Sequence, residues 1–167
     1  IKQYIKTHAK SYLHYSCNIF ERKINIYFIL FEKNKKNAKY YDEAVIRIIM
    51  WLRMAFLYSP QYCGKNLKIY LYTTPFQKKL PHEVVDILGV NNCNSAVTTS
   101  CTRDGVIIIY RQEEWFKVLI HESFHTLGLD FSAFSCDNLH YQLSKLFPIN
   151  SEMNIYEAYT EFWATIL

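Results

Sequence analysis

Apolar positions divide the chain into a front part where strands and helices alternate and a back part that is helical. Ile24–Phe31, INIYFILF, is a β-branched and aromatic run that predicts a buried strand. Tyr40–Tyr58 predicts a helix, with Asp42 and Glu43 in its first turn and Arg53 nearer its end, charges that suit the helix dipole. Ser59-Pro60 and Gly64 mark a loop. Leu67–Thr73 alternates, with Leu67, Ile69 and Leu71 on one face, and predicts a strand ending before Pro75. Pro81–Gly89 reads as a short helix or loop. The polar run Asn91–Ser100 has room for a short edge strand around Ser95–Thr99. After a turn at Asp104-Gly105, Val106–Tyr110, VIIIY, is the clearest strand of the chain. Glu113–Gly128 is the next helix. Asp137–Phe147 follows, with Asp137 as N-cap and Pro148 after its end, and Ser151–Leu167 is the last helix. Residues 1–16 are ambiguous, with a helical reading.

This order predicts an α+β domain with a small sheet. A single domain over 1–167 is expected, with the sheet and the helix after VIIIY in 24–128 and a helical part in 129–167. At 167 residues, half of them hydrophobic and a fifth charged, the chain has the size and composition of one globular domain. The abundance of Tyr and Lys is typical of AT-rich coding sequence and is discounted. Net charge is +4, and the lysines are scattered apart from Lys33-Asn34-Lys35-Lys36, which reads as a solvated loop. No nucleic-acid surface is therefore expected. The longest apolar stretch, Ala44–Tyr58, is interrupted by Arg47 and Arg53, so no membrane span is expected. The chain opens on Ile1 rather than Met and reads as a fragment.

Cys17, Cys63, Cys93, Cys101 and Cys136 are widely spaced, odd in number and contain no CxxC. They fit free thiols better than a disulfide framework or a zinc ribbon, with a Cys93–Cys101 bridge across a loop left open. Free thiols imply a reducing, cytoplasmic setting. Oligomeric state is not legible.

The candidate chemistry lies in His121-Glu122-Ser123-Phe124-His125. Helix positions i and i+4 lie one above the other, so both imidazoles can face one metal. Glu122 is rotated about 100° from His121 and can reach a water on that metal rather than join its ligands. The competing reading is two helix histidines satisfied by water or carbonyls. A catalytic zinc needs a third protein ligand.

Three places could supply it. HTLGLDF resembles the metzincin run, but Phe131 stands where that run has its third histidine. Gly128 reads instead as the left-handed residue after the helix, and Asp130 as a carboxylate supporting a ligand histidine. In NIYEAYTEFWA, residues 154–164, Glu157 and Glu161 share a helix face, although Asn154 and Glu157 also form a capping-box pattern. His140 is the third place.

HExxH followed by a helix with two acidic residues four apart resembles the gluzincin, or thermolysin-like, zincin metallopeptidases. The family's NExxSD pattern is altered, with Tyr156 in the place of its Asn and Glu161 in the place of its distal Asp. The resemblance implies a zincin-like fold: a small mixed sheet with an antiparallel edge strand, a backing helix, the HExxH helix and a helical C-terminal part. It implies Zn2+ held by His121, His125 and Glu157, with Glu161 behind His121 and Glu122 as general base for peptide hydrolysis. It further implies that Asn94, Ser95 and Ala96 bind the backbone of a peptide or protein substrate by strand addition. Tyr156, Tyr159 and His140 are candidate oxyanion donors. The wording IHESFHTLGLDFS with EAYTEFWA also resembles metallopeptidase-like proteins of large cytoplasmic DNA viruses, which would place the chain in a virion or host cytoplasm. The alternative from another class is a catalytically inactive zinc-binding structural or interaction module; retention of Glu122 argues against it.

Overall fold

The computed structural model describes residues 1–31, 36–79, 94–150 and 153–167. Helix α1 (Lys2–His8) leads into β1 (Ala9–Ile19), β2 (Arg22–Phe31), α2 (Ala38–Ala55), β3 (Asn66–Thr74), β4 (Ala96–Thr98) and β5 (Asp104–Arg111). Three helices follow: α3 (Trp115–Thr126), α4 (Asp137–Leu146) and α5 (Ile155–Ile166). The sheet is mixed, in the order β1-β2-β3-β5-β4, so the fold is α+β. β2, β3 and β5 run parallel, while β1 and β4 are antiparallel edges on β2 and β5.

Parallel strands need a crossover, and α2 supplies the one between β2 and β3. Its buried face (Val45, Ile48, Leu52, Ala55) joins one core with Ile24 and Ile26 of β2, Leu67 and Ile69 of β3, and Ile107 and Ile109 of β5. Leu119, Ile120 and Phe124 add α3 to that core. One polar contact crosses it: Trp51 Nε1 donates to Ser123 Oγ at 2.8 Å. Trp51 thus ties the backing helix to the helix that carries the two histidines.

The elements differ from the expectations chiefly at their ends. Of residues 1–16, Lys2–His8 are helical as α1 but 9–16 form strand β1, because β1 pairs with β2 from Ala9 to Ile19, with one irregularity between Ala9 and Ser11, while its polar side chains stay exposed. An edge strand that buries only one face gives little apolar signal. Helix α2 begins at Ala38, where Asn37 Oδ1 accepts from Tyr40 N at 3.0 Å, so Asp42 and Glu43 fall in the second turn. Asp42 instead accepts from the Tyr15 hydroxyl of β1. Asp137 is the first helical residue of α4 rather than its cap. Pro81–Gly89 lies outside the described residues, as do Asn91–Cys93. Among the described residues no helix is long and apolar enough to cross a membrane.

The cysteine expectation is corrected. Cys63 and Cys101 form a disulfide, while Cys17 and Cys136 are free. Cys93 is outside the described residues. The pairing follows from strand register: Asn66 and Asp104 are partners in the parallel β3–β5 pair, and each cysteine lies three residues before its partnered residue. Nothing local in the sequence encodes that proximity. The free-thiol argument for a reducing compartment therefore lapses, because disulfides persist where conditions oxidise. A cross-link over 38 residues stabilises by about 4 kcal/mol through loss of unfolded-chain entropy. Cys63→Ala/Cys101→Ala is expected to lower unfolding stability by about that amount, read from the urea midpoint. An unchanged midpoint would mean that the bridge does not form in solution.

Candidate metal centre

Helix α3 carries His121, Glu122 and His125, and α5 brings Glu157 and Glu161 against the histidines. The two helices dock through Phe124, whose ring centroid is 6.0 Å from that of Tyr159, and through buried Thr160 and Ala164. Asn154 caps α5, its Oδ1 accepting from Glu157 N at 3.3 Å. Only that half of the capping box is present among the described contacts. The Glu157 carboxylate turns towards the imidazoles instead, its Oε2 being 3.1 Å from His121 Nε2 and its Oε1 3.5 Å from His125 Nε2.

Those contacts define a cluster that could hold a metal ion. The two Nε2 atoms are 3.4 Å apart, and His121, His125 and Glu157 each offer an atom within 4.8 Å of the others. Ligands about 2.0–2.1 Å from a tetrahedral zinc are themselves about 3.3–3.4 Å apart. The observed spacings of 3.1, 3.4 and 3.5 Å lie around that value. The outer ring nitrogens fix the protons. His125 Nδ1 is 2.6 Å from Asp130 Oδ2, and His121 Nδ1 is 3.2 Å from Glu161 Oε2. A carboxylate accepts from Nδ1–H, which leaves the Nε2 lone pairs directed into the cluster. Two protonated Nε2 atoms facing each other at 3.4 Å would repel.

Asp130 owes its place to the end of α3. Gly128 is left-handed at φ 63°, Leu129 N donates to Phe124 O at 2.8 Å, and Gly128 N donates to His125 O at 3.2 Å. This double closure returns the chain under the helix and delivers Asp130 to His125. The Leu127 carbonyl accepts from Ser59 Oγ, which in turn accepts from buried Arg22. A Cβ at Gly128 would sit 3.2 Å from Cys63 Sγ, so the disulfide packs directly beneath the turn.

His121 and Glu122 line a cleft of about 240 Å³ together with Asn94, Ser95 and Ala96. Burial pushes the Glu122 carboxyl up to about 7, opposed by His125 and assisted by Glu157. Ser95 is buried, and its hydroxyl has no partner among the described residues. Ala96 pairs with Ile109, and the Thr98 and Thr126 hydroxyls meet, tying the edge strand to α3.

Other expected participants separate. His140 lies half-buried on α4 and is not in the cluster. Phe131 and Tyr159 pack together with ring centroids 4.9 Å apart, so Tyr159 sits among apolar rings. Tyr156 stays beside His125, with centroids 6.4 Å apart.

Two contributors escaped the sequence reading. Ser132 Oγ donates to Asp130 Oδ1 at 2.8 Å. Lys117 Nζ is 2.5 Å from Glu161 Oε1, a hydrogen bond that raises the Lys117 pKa; at Glu161 burial is the largest single influence and pushes the carboxyl up, but Lys117 and His121 together outweigh it and hold the group below the ordinary carboxylate value. Lys117 stands four residues before His121, a spacing that places both on one helix face.

The geometry is thus that of a His–His–Glu centre in which each histidine is backed by a carboxylate. Comparison of the chain with protein-family models, curated proteins and solved structures finds no match in any of the three.

Proposed function

We propose that the chain is a zinc-dependent metallopeptidase of the gluzincin type, with the zincin fold that goes with it. The observation that carries this reading is the set of three inward-facing atoms of His121, His125 and Glu157 at zinc-ligand spacing, with Glu122 lining the same cleft. A zinc held there supplies Lewis acidity, polarising the scissile carbonyl and acidifying the attacking water. Glu122 takes a proton from that water as its oxygen bonds to the carbonyl carbon. Glu122 then gives the proton to the leaving nitrogen as the C–N bond breaks, releasing an amine and a carboxylic acid, whose remaining proton passes to the amine or to solvent. Asp130 and Glu161 keep the imidazoles oriented with Nε2 free.

The edge strand suits an extended peptide. Tyr110 N donates to Ser95 O, and Thr99 N donates to Val106 O. Backbone direction alternates along a strand, so the peptide groups of Ala96 and Thr98 point away from β5. Another strand could add there, beside the cluster. A purely structural zinc closes with four protein ligands, whereas the cluster has three among the described residues.

The test is metal content together with hydrolysis of a mixed peptide substrate. The purified chain is expected to hold about one zinc. Stripping with a chelator should abolish cleavage, and added zinc should restore it. A folded chain that takes up no zinc after reconstitution sinks the proposal.

A further inference from the structure

We propose that Lys117 is a positioning residue of the metal centre, holding the Glu161 carboxylate at the angle from which it accepts the His121 Nδ1 proton. This rests on the reading of His121, His125 and Glu157 as metal ligands.

The two histidines show why such a residue is needed. Each is backed by a carboxylate that spends one oxygen on the ring and the other on a second donor. Behind His125 that carboxylate is Asp130, whose side chain is 5% exposed. It sits on a closed helix-terminal turn, and Ser132 holds its second oxygen. Behind His121 the carboxylate is Glu161, a longer side chain that is 53% exposed and comes from a different helix. Nothing comparable to the Asp130 turn confines it. Water would compete for both of its oxygens, and its rotamers would spread.

Lys117 removes that freedom. Its ammonium takes Oε1 at 2.5 Å while Oε2 stays 3.2 Å from His121 Nδ1. Lys117 and His121 are consecutive turns of α3, so one face of that helix grips both oxygens of a single α5 carboxylate. An exposed ion pair adds little to global stability. Its effect here is on direction: a fixed Glu161 fixes the plane of the His121 ring and the tautomer that leaves Nε2 free.

A charge effect alone has the opposite sign. A lysine near a dication repels it, so removal of an idle Lys117 would tighten zinc binding. Removal of a positioning Lys117 weakens it. The sign of the change therefore separates the two roles.

The experiment measures zinc affinity by competition with a chromophoric chelator. It compares wild type, Lys117→Met, Lys117→Arg, Glu161→Gln and the Lys117→Met/Glu161→Gln double variant. Circular dichroism and the melting temperature of each metal-free form are recorded beside it. Lys117→Met keeps most of the aliphatic stem; if it does not fold, Lys117→Gln replaces it. Lys117→Met is expected to weaken zinc binding about fivefold, less than the roughly 10–100-fold expected for loss of an outer-sphere partner such as Glu161 itself. Lys117→Arg should restore most of the loss, and the double variant should bind no more weakly than Glu161→Gln. The metal-free melting temperature should stay close to that of wild type. Zinc binding in Lys117→Met as tight as in wild type, or tighter, overturns the positioning role while leaving the metal site standing. Additive losses in the double variant also overturn it, since Lys117 would then act by a route other than Glu161. A folded wild type that binds no zinc removes the metal-site reading itself, and this inference with it.

Discussion

Glu122→Gln is expected to lower peptide hydrolysis by about 10²–10⁴-fold, the usual contribution of a positioned general base, while the chain keeps its zinc. The separation of the two effects comes from the site itself. Glu122 follows His121 on α3 and lines the cleft, but the cluster that could hold a metal consists of His121, His125 and Glu157. The amide preserves shape and hydrogen-bonding capacity and removes only proton affinity. Turnover on a peptide substrate and zinc content on the same preparation check the prediction. Activity within a few-fold of wild type would remove Glu122 as the base. Zinc lost along with activity would mean that its carboxylate helps to hold the metal.

Glu157→Ala should act on the other half of the machinery. The variant is expected to stay folded, since Glu157 is a half-exposed residue and the Asn154 cap that starts α5 bonds its backbone rather than its carboxylate. Zinc affinity should fall by more than the roughly 10–100-fold that removal of an outer-sphere partner costs. Two histidines alone leave the ion short of the three protein ligands of a catalytic site. The readout is zinc retention after dialysis, with circular dichroism showing that both proteins fold. Equal zinc in mutant and wild type would place the third ligand elsewhere.

Much of this arrangement was legible in the chain. The central strands were, because VIIIY and INIYFILF are apolar at every second position, and those positions (Ile107 and Ile109; Ile24, Ile26, Phe28 and Leu30) are the buried ones. So was the His121–His125 juxtaposition, a consequence of helical period alone. Asp130 was legible because Gly128 marks where the helix closes and only Leu129 separates the two. The β1 strand was not, because most of its residues face solvent and its partner β2 supplies most of the apolar signal. The α2 start was displaced because Asn37, a cap, stands before weakly patterned residues.

By itself the sequence determined what depends on neighbours within about one or two helical turns: the strand cores, the histidine pair, the glycine turn and the i, i+4 spacing of Glu157 and Glu161. Tertiary structure decided what depends on elements far apart in the chain. It turned Glu157 away from its own helix start and towards His121, 36 residues distant in sequence. It set Lys117 against Glu161, and it joined Cys63 to Cys101 through the β3–β5 register. Periodicity carries the direction of a side chain relative to its own backbone. It carries nothing about which other backbone is packed opposite, and the approach of Glu157 to His121, the Lys117–Glu161 pair and the disulfide are all of that second kind.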